Sequence, residues 1–143
     1  MRLSSTAGMQ GLGFAQETFV GIASEAITKG LIVECLLSAL EPDDDISIAI
    51  SNGSGVGIYG VALEDIASGA RGLCCLSGKV EVQGGDTSAA GLVIMPNTSG
   101  KAVLRAGNTT VAVGFTVDTL AATGLQTVLF DGFQPQHGGD IVE

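Results

Sequence analysis

Glycine recurs 22 times in these 143 residues, and it falls between short runs of β-branched and aliphatic residues. That punctuation constrains the fold more than any other feature. Glycine adopts the left-handed backbone of tight turns without steric cost, and it weakens the interior of a helix. The runs it separates are TFVGIA, ISIAI, IYGVAL, RGLCCLSGKVEV, GLVIMP, KAVLRA, TVAVGFTV and LQTVLFDGF. Between them lie turn sequences such as TKG, EPDDD, SNGSGVG, EDIASGA, QGGDTSA, NTSG and GNT. Short strands with a turn signal about every ten residues predict an all-β domain, a small barrel, tulip-like barrel or sandwich. Residues 31–40 are also readable as a short helix, because a brief apolar run does not separate the two periods.

Apolar residues make up 45% of the chain and charged residues only 15%, so the chain is globular rather than disordered. With no Trp and one Tyr, the core must be built from Val, Ile, Leu and Ala. A sparsely charged exterior suggests that a partner covers part of it. The net charge is −9, and the six cations, Arg2, Lys29, Arg71, Lys79, Lys101 and Arg105, are scattered singly. No basic stripe exists to neutralise phosphates, which argues against nucleic-acid binding. The acidic balance argues against anionic membranes too, and no apolar run has the ~18 residues of a membrane helix. Three cysteines without disulfide spacing fit folding in a reducing cytoplasm.

The sequence repeats itself. Residues 58–79 align without gaps on 112–133, placing Gly60 on Gly114, Glu64 on Asp118, Ile66 on Leu120 and Gly78 on Gly132. Upstream, Gly-Leu-Ile-Val at 30–33 is echoed by Gly-Leu-Val-Ile at 91–94. Duplication of a strand–turn–strand unit is the expectation, with too few copies for a solenoid. The predicted organisation is an extended N-terminal arm at 1–16, one β domain at 17–134 built from the two related units, and a polar tail at 135–143.

The duplicated unit resembles the capsid decoration, or cement, proteins of tailed phages, the type of the lambda head decoration protein. The elements that carry the resemblance are Gly-Val-Ala-Leu at 60–63, the small-residue turn at 65–69, the strand at 73–82 and the Gly-Asn-Thr turn at 107–109. It spans about residues 30–133. The resemblance implies a compact barrel or tulip-like fold and a structural virion protein. Such a protein would sit on the outer capsid surface as homotrimers at capsomer junctions, with the major capsid protein as partner. It would stabilise the head against the pressure of packed DNA, after passing through the host cytoplasm. The alternative is a receptor- or glycan-binding head-fibre or adhesin module. Glycan sites generally need exposed aromatic faces, which this composition scarcely provides.

No residue pattern supports catalysis or a cofactor. The single histidine, His137, stands in the polar tail beside Gly138 and Gly139, away from any rigid partner. Cys35, Cys74, Cys75 and His137 lack zinc-ligand spacing, and adjacent strand residues point to opposite faces. Asp43-Asp44-Asp45 lacks the spaced acids and closing Glu of a calcium loop and reads as a solvated turn. Gly-Ser-Gly-Val-Gly at 53–57 has no lysine and reads as a hairpin turn, not a phosphate loop. The candidate contact residues lie in the arm. Leu3, Met9, Leu12 and Phe14 have no strand or helix period, yet offer side chains for burial against a capsid.

Overall fold

The computed structural model describes residues 16–36, 46–52, 58–105 and 112–132. Leu3, Met9, Leu12, Phe14, the Asp43–Asp45 run, the 53–57 and 107–109 turns and His137 lie outside the described residues.

The described chain is all β. Its strands are β1 (Glu17–Ala23), β2 (Ile32–Cys35), β3 (Ile46–Ile50), β4 (Tyr59–Ala62), β5 (Arg71–Gln83), β6 (Val93–Pro96), β7 (Ala102–Leu104), β8 (Gly114–Thr116) and β9 (Leu125–Asp131). Each predicted run holds a strand, though TVAVGFTV supplies only Gly114–Thr116 in its second half. At residues 32–35 the chain is extended, which resolves the helix–strand ambiguity there. Its partners explain why: β2 is hydrogen-bonded to β3 on one side and β4 on the other.

The pairing order is β1-β3-β2-β4-β5-β9-β8-β6-β7, and β1 also pairs with β5. That additional pairing closes β1, β3, β2, β4 and the first half of β5 into a five-stranded barrel. Closure leaves these strands no free edge. One joint of the ring is parallel, β1 beside β3 from Gly21↔Ile46 to Ala23↔Ile48, and the others are antiparallel.

The thirteen-residue β5 belongs to two units. Its first half pairs with β1 and β4, and its second half, from Ser77 to Gln83, pairs with β9. Gly78, at φ 120°, sits where the two halves meet. The second unit repeats the order of the first: the end of β5, then β7, β6, β8 and β9. Its parallel joint is the single bridge Gly84↔Ala102, at the position that Ala23↔Ile48 occupies in the first unit.

The backbone bonds match pair by pair. Ser24 N–H donates to Ile48 O at 2.9 Å, and Gly85 N–H to Ala102 O at 2.8 Å. Ile27 and Ile66 exchange two bonds across a bridge, as do Ser88 and Leu120. Gly30 N–H donates to Ala62 O and Gly91 N–H to Thr116 O, each at 2.8 Å. Both glycines are left-handed, at φ 90° and 82°, a conformation that a side chain would strain. The duplication therefore spans five strand segments per unit, more than the strand–turn–strand read from sequence.

Two apolar clusters fill the structure. The first lies inside unit one and includes Ala23, Ile27, Val33, Ile48, Ile66 and Cys74. The second combines Val82, Ile94, Ala102, Leu120, Val128 and Phe130 of unit two with Ile32, Tyr59, Val61 and Cys75 from the outer wall of unit one. Strands β2 and β4, and β5 at Cys74–Cys75, are thus buried on both faces, as the all-buried β4 displays. Backbone bonds tie the units there: Ile32 N–H to Gly100 O at 2.7 Å and Tyr59 N–H to Gly132 O at 2.9 Å. A Cβ at Gly132 would collide with the carbonyl oxygen of Tyr59, so this approach requires glycine.

Candidate functional site

The groups best suited to chemistry are occupied by structure. Glu64 accepts from Leu73 N–H, Asp65 from Lys29 N–H, Glu25 from Ile50 N–H and Glu17 from the Ser77 hydroxyl, at 2.8–3.0 Å. Asp86 and Asp118 accept from the next backbone amide and shape turns. These carboxylates anchor backbone rather than face one another across a cleft. Among the described residues, no three His, Cys, Asp or Glu side chains are grouped to hold a metal ion.

The three cysteines are free and buried. As the strand alternation predicts, Cys74 enters the unit-one cluster and its neighbour Cys75 the cluster between the units. Burial pushes the Cys35 thiol up to about 11, with Glu34 adding to it, and the Cys74 thiol to about 12, with Cys35 adding. Burial also raises Cys75 to about 11, with a backbone hydrogen bond at Ser77 opposing it and Glu17 adding to it. Thiols held protonated at neutral pH are neither nucleophiles nor ready metal ligands.

A shallow groove of about 390 Å³ is lined by Gln16, Lys29, Leu63, Lys79, Val80, Glu81 and Thr127. Gln16 donates across it to Lys79 O at 2.9 Å. Its two lysines and one glutamate are exposed, so water screens them and no strong field develops.

The surface feature that stands out is apolar. Phe115 is 51% exposed at the centre of a cross-strand row in unit two, flanked by Val93 on β6 and Leu129 on β9. Met95 and Val103, half-buried, extend the row along β6 and β7. A smaller patch pairs Val20 with Leu73 on unit one, 43% and 40% exposed. Phe115 is the one aromatic side chain in the exposed class among the described residues, because the single tyrosine, Tyr59, is buried.

Sequence reasoning placed its contact residues in the arm and missed this row. A signal existed. The repeat that sets Gly60 on Gly114 also sets Val61 on Phe115, putting the bulkiest side chain of the row where its counterpart has only a valine.

The architecture is a closed five-stranded β-barrel whose strand order is repeated in a second unit. No family model matches the chain, and no curated protein sequence does. Among solved structures it is similar to the head fiber gp8.5 N base of bacteriophage phi29. The likeness has a TM-score of 0.63, covers 86% of this chain and 100% of that chain, and carries 19% identity. At that identity it establishes a shared fold. It is a likeness to a head-fiber base, a different head component from the decoration proteins that the sequence resembles.

Proposed function

We propose that this chain is a non-enzymatic structural protein of a phage head, which binds the outside of the capsid and stabilises it. The observation that carries the reading is the structural match to a head-fiber base over 86% of this chain. The resemblance of residues 30–133 to decoration proteins is the ground for placing the chain on the outer surface. The absence of a basic stripe supports a place outside the shell, away from packaged DNA. In this reading the chain binds neither nucleic acid nor membrane and needs no cofactor.

The mechanism is multivalent clamping. A homotrimer seated where capsomers meet touches several major capsid subunits at once. Linking modest contacts raises avidity by roughly 10²–10⁴ over a single contact. The arm, through Leu3, Met9, Leu12 and Phe14, adds contacts by ordering along a neighbouring subunit.

The test is to mix the purified protein with undecorated capsids of the phage that encodes it and image them by electron microscopy. Added density at threefold positions is expected; capsids that remain bare at saturating protein refute the reading. The alternative, a receptor- or glycan-binding head-fibre or adhesin module, is favoured by the same head-fiber likeness; with Tyr59 buried, Phe115 is the exposed aromatic face that the described residues offer a sugar, and specific signals on a glycan array would decide for it.

A further inference from the structure

The two units are alike in backbone but not in what covers them. In unit one, the row Ile32–Val61–Cys75 runs across β2, β4 and β5, and each residue is 0% exposed. What buries it is unit two. The duplicate of that row is Val93–Phe115–Leu129 across β6, β8 and β9, and among the described residues no further strand lies over it, so that Phe115 is left 51% exposed. It holds no charged residue, and its centre is among the most exposed large apolar side chains described.

The receiving surface is duplicated as well. Where unit two takes up the buried row, Gly100 accepts the Ile32 amide and Val80 lies in the shared cluster, 5% exposed. By the repeat, their counterparts in unit one are Ile46 and Phe19. Both are only half-buried. One unit thus carries a wall exposed at its centre, and the other a partly exposed seat whose Phe19 and Ile46 rest on the unit-one cluster.

From this pairing we propose that a second copy of the chain covers the row. The Val93–Phe115–Leu129 wall of one molecule docks on the Phe19–Ile46 seat of the next, repeating between chains the contact already made between units. Two different patches meet, so the interface is head to tail. Such an interface closes into a ring when its rotation permits and otherwise extends. The inference deepens the proposed self-association and rests on that part of the reading, supplying its interface.

The test uses the full chain and three variants: Phe115→Asp on the wall, Ile46→Asp on the seat, and Leu73→Asp on the unit-one patch as a control. Sedimentation velocity measures self-association. Circular dichroism and urea unfolding at dilution confirm that each variant is folded. Phe115→Asp and Ile46→Asp should each weaken self-association at least about a hundredfold, as loss of a central apolar contact does. Leu73→Asp should assemble like the unaltered chain.

A head-to-tail contact has a further signature. An equimolar mixture of Phe115→Asp and Ile46→Asp should form a dimer of one of each, because together they retain one intact wall and one intact seat. Should one aspartate variant fail to fold, Phe115→Ser or Phe19→Ser replaces it in the mixture. A chain that stays monomeric to roughly 200 µM, Phe115→Asp that assembles normally, or a mixture that remains monomeric overturns the proposal. Capsid occupancy separates this from the broader reading. Monomers that still decorate capsids refute the interface alone, whereas self-association without decoration refutes head attachment alone.

Discussion

Replacing Ile32 and Val93 by alanine, one at a time, tests whether unit one is capped by unit two. The two residues occupy the same place in the repeat, but Ile32 is 0% exposed and Val93 is half-buried. Ile32→Ala deletes three carbon groups from a fully covered site. At about 0.8 kcal/mol for each buried group, the transfer loss is about 2.4 kcal/mol. A cavity contribution adds to it, because β2 is paired on both sides and cannot collapse inward, giving about 3–4 kcal/mol in total. Val93→Ala deletes two groups from a partly solvated face and should cost under about 1 kcal/mol. Urea unfolding at low micromolar concentration measures both, with the midpoint for Ile32→Ala moving well below that for Val93→Ala. Equal costs for the two substitutions, or less than about 1 kcal/mol for Ile32→Ala, would refute the assignment of this row to the junction between units.

The buried thiols make stability sensitive to alkali. Cys35, Cys74 and Cys75 have folded-state values of about 11, 12 and 11 against an ordinary 9.0, so the folded chain holds its thiol protons longer than the unfolded chain. Their contribution is whole below pH ~9 and falls as pH rises toward about 11–12. Urea midpoints should drop across that range more steeply in the unaltered protein than in a triple Cys→Ala variant. Tyr59, shifted upward chiefly by burial, leaves a residual slope. Gly132→Ala should cost about 1–3 kcal/mol, read from thermal melting, because the new methyl meets the Tyr59 carbonyl; an unchanged melting temperature would contradict that packing. Deleting residues 1–16 should leave melting nearly unchanged, since β1 begins at Glu17 and, among the described residues, the bond lost is that of Gln16 to Lys79. The same deletion should lower capsid occupancy, and undiminished occupancy would remove the arm from the proposed contact.

The sequence by itself determined where strands and turns fall, and it exposed the duplication. Alternation of side chains along a strand and the left-handed freedom of glycine are local properties, so Ile-Ser-Ile-Ala-Ile reads as a strand and Thr28-Lys29-Gly30 as a turn. The same alternation placed Cys74 and Cys75 on opposite faces. Only the tertiary structure decided which face meets what. Gly-Leu-Ile-Val and Gly-Leu-Val-Ile are nearly the same four residues, yet Ile32 is sealed and Val93 is not, because burial depends on whether another layer follows in space. The parallel joint between β1 and β3 was equally invisible, since pairing partners across a closed barrel are chosen by distant strands. The candidate surface shares that property: Phe115 follows a glycine in a run that reads as an ordinary strand, and only its place on a face that no other described strand covers leaves it exposed.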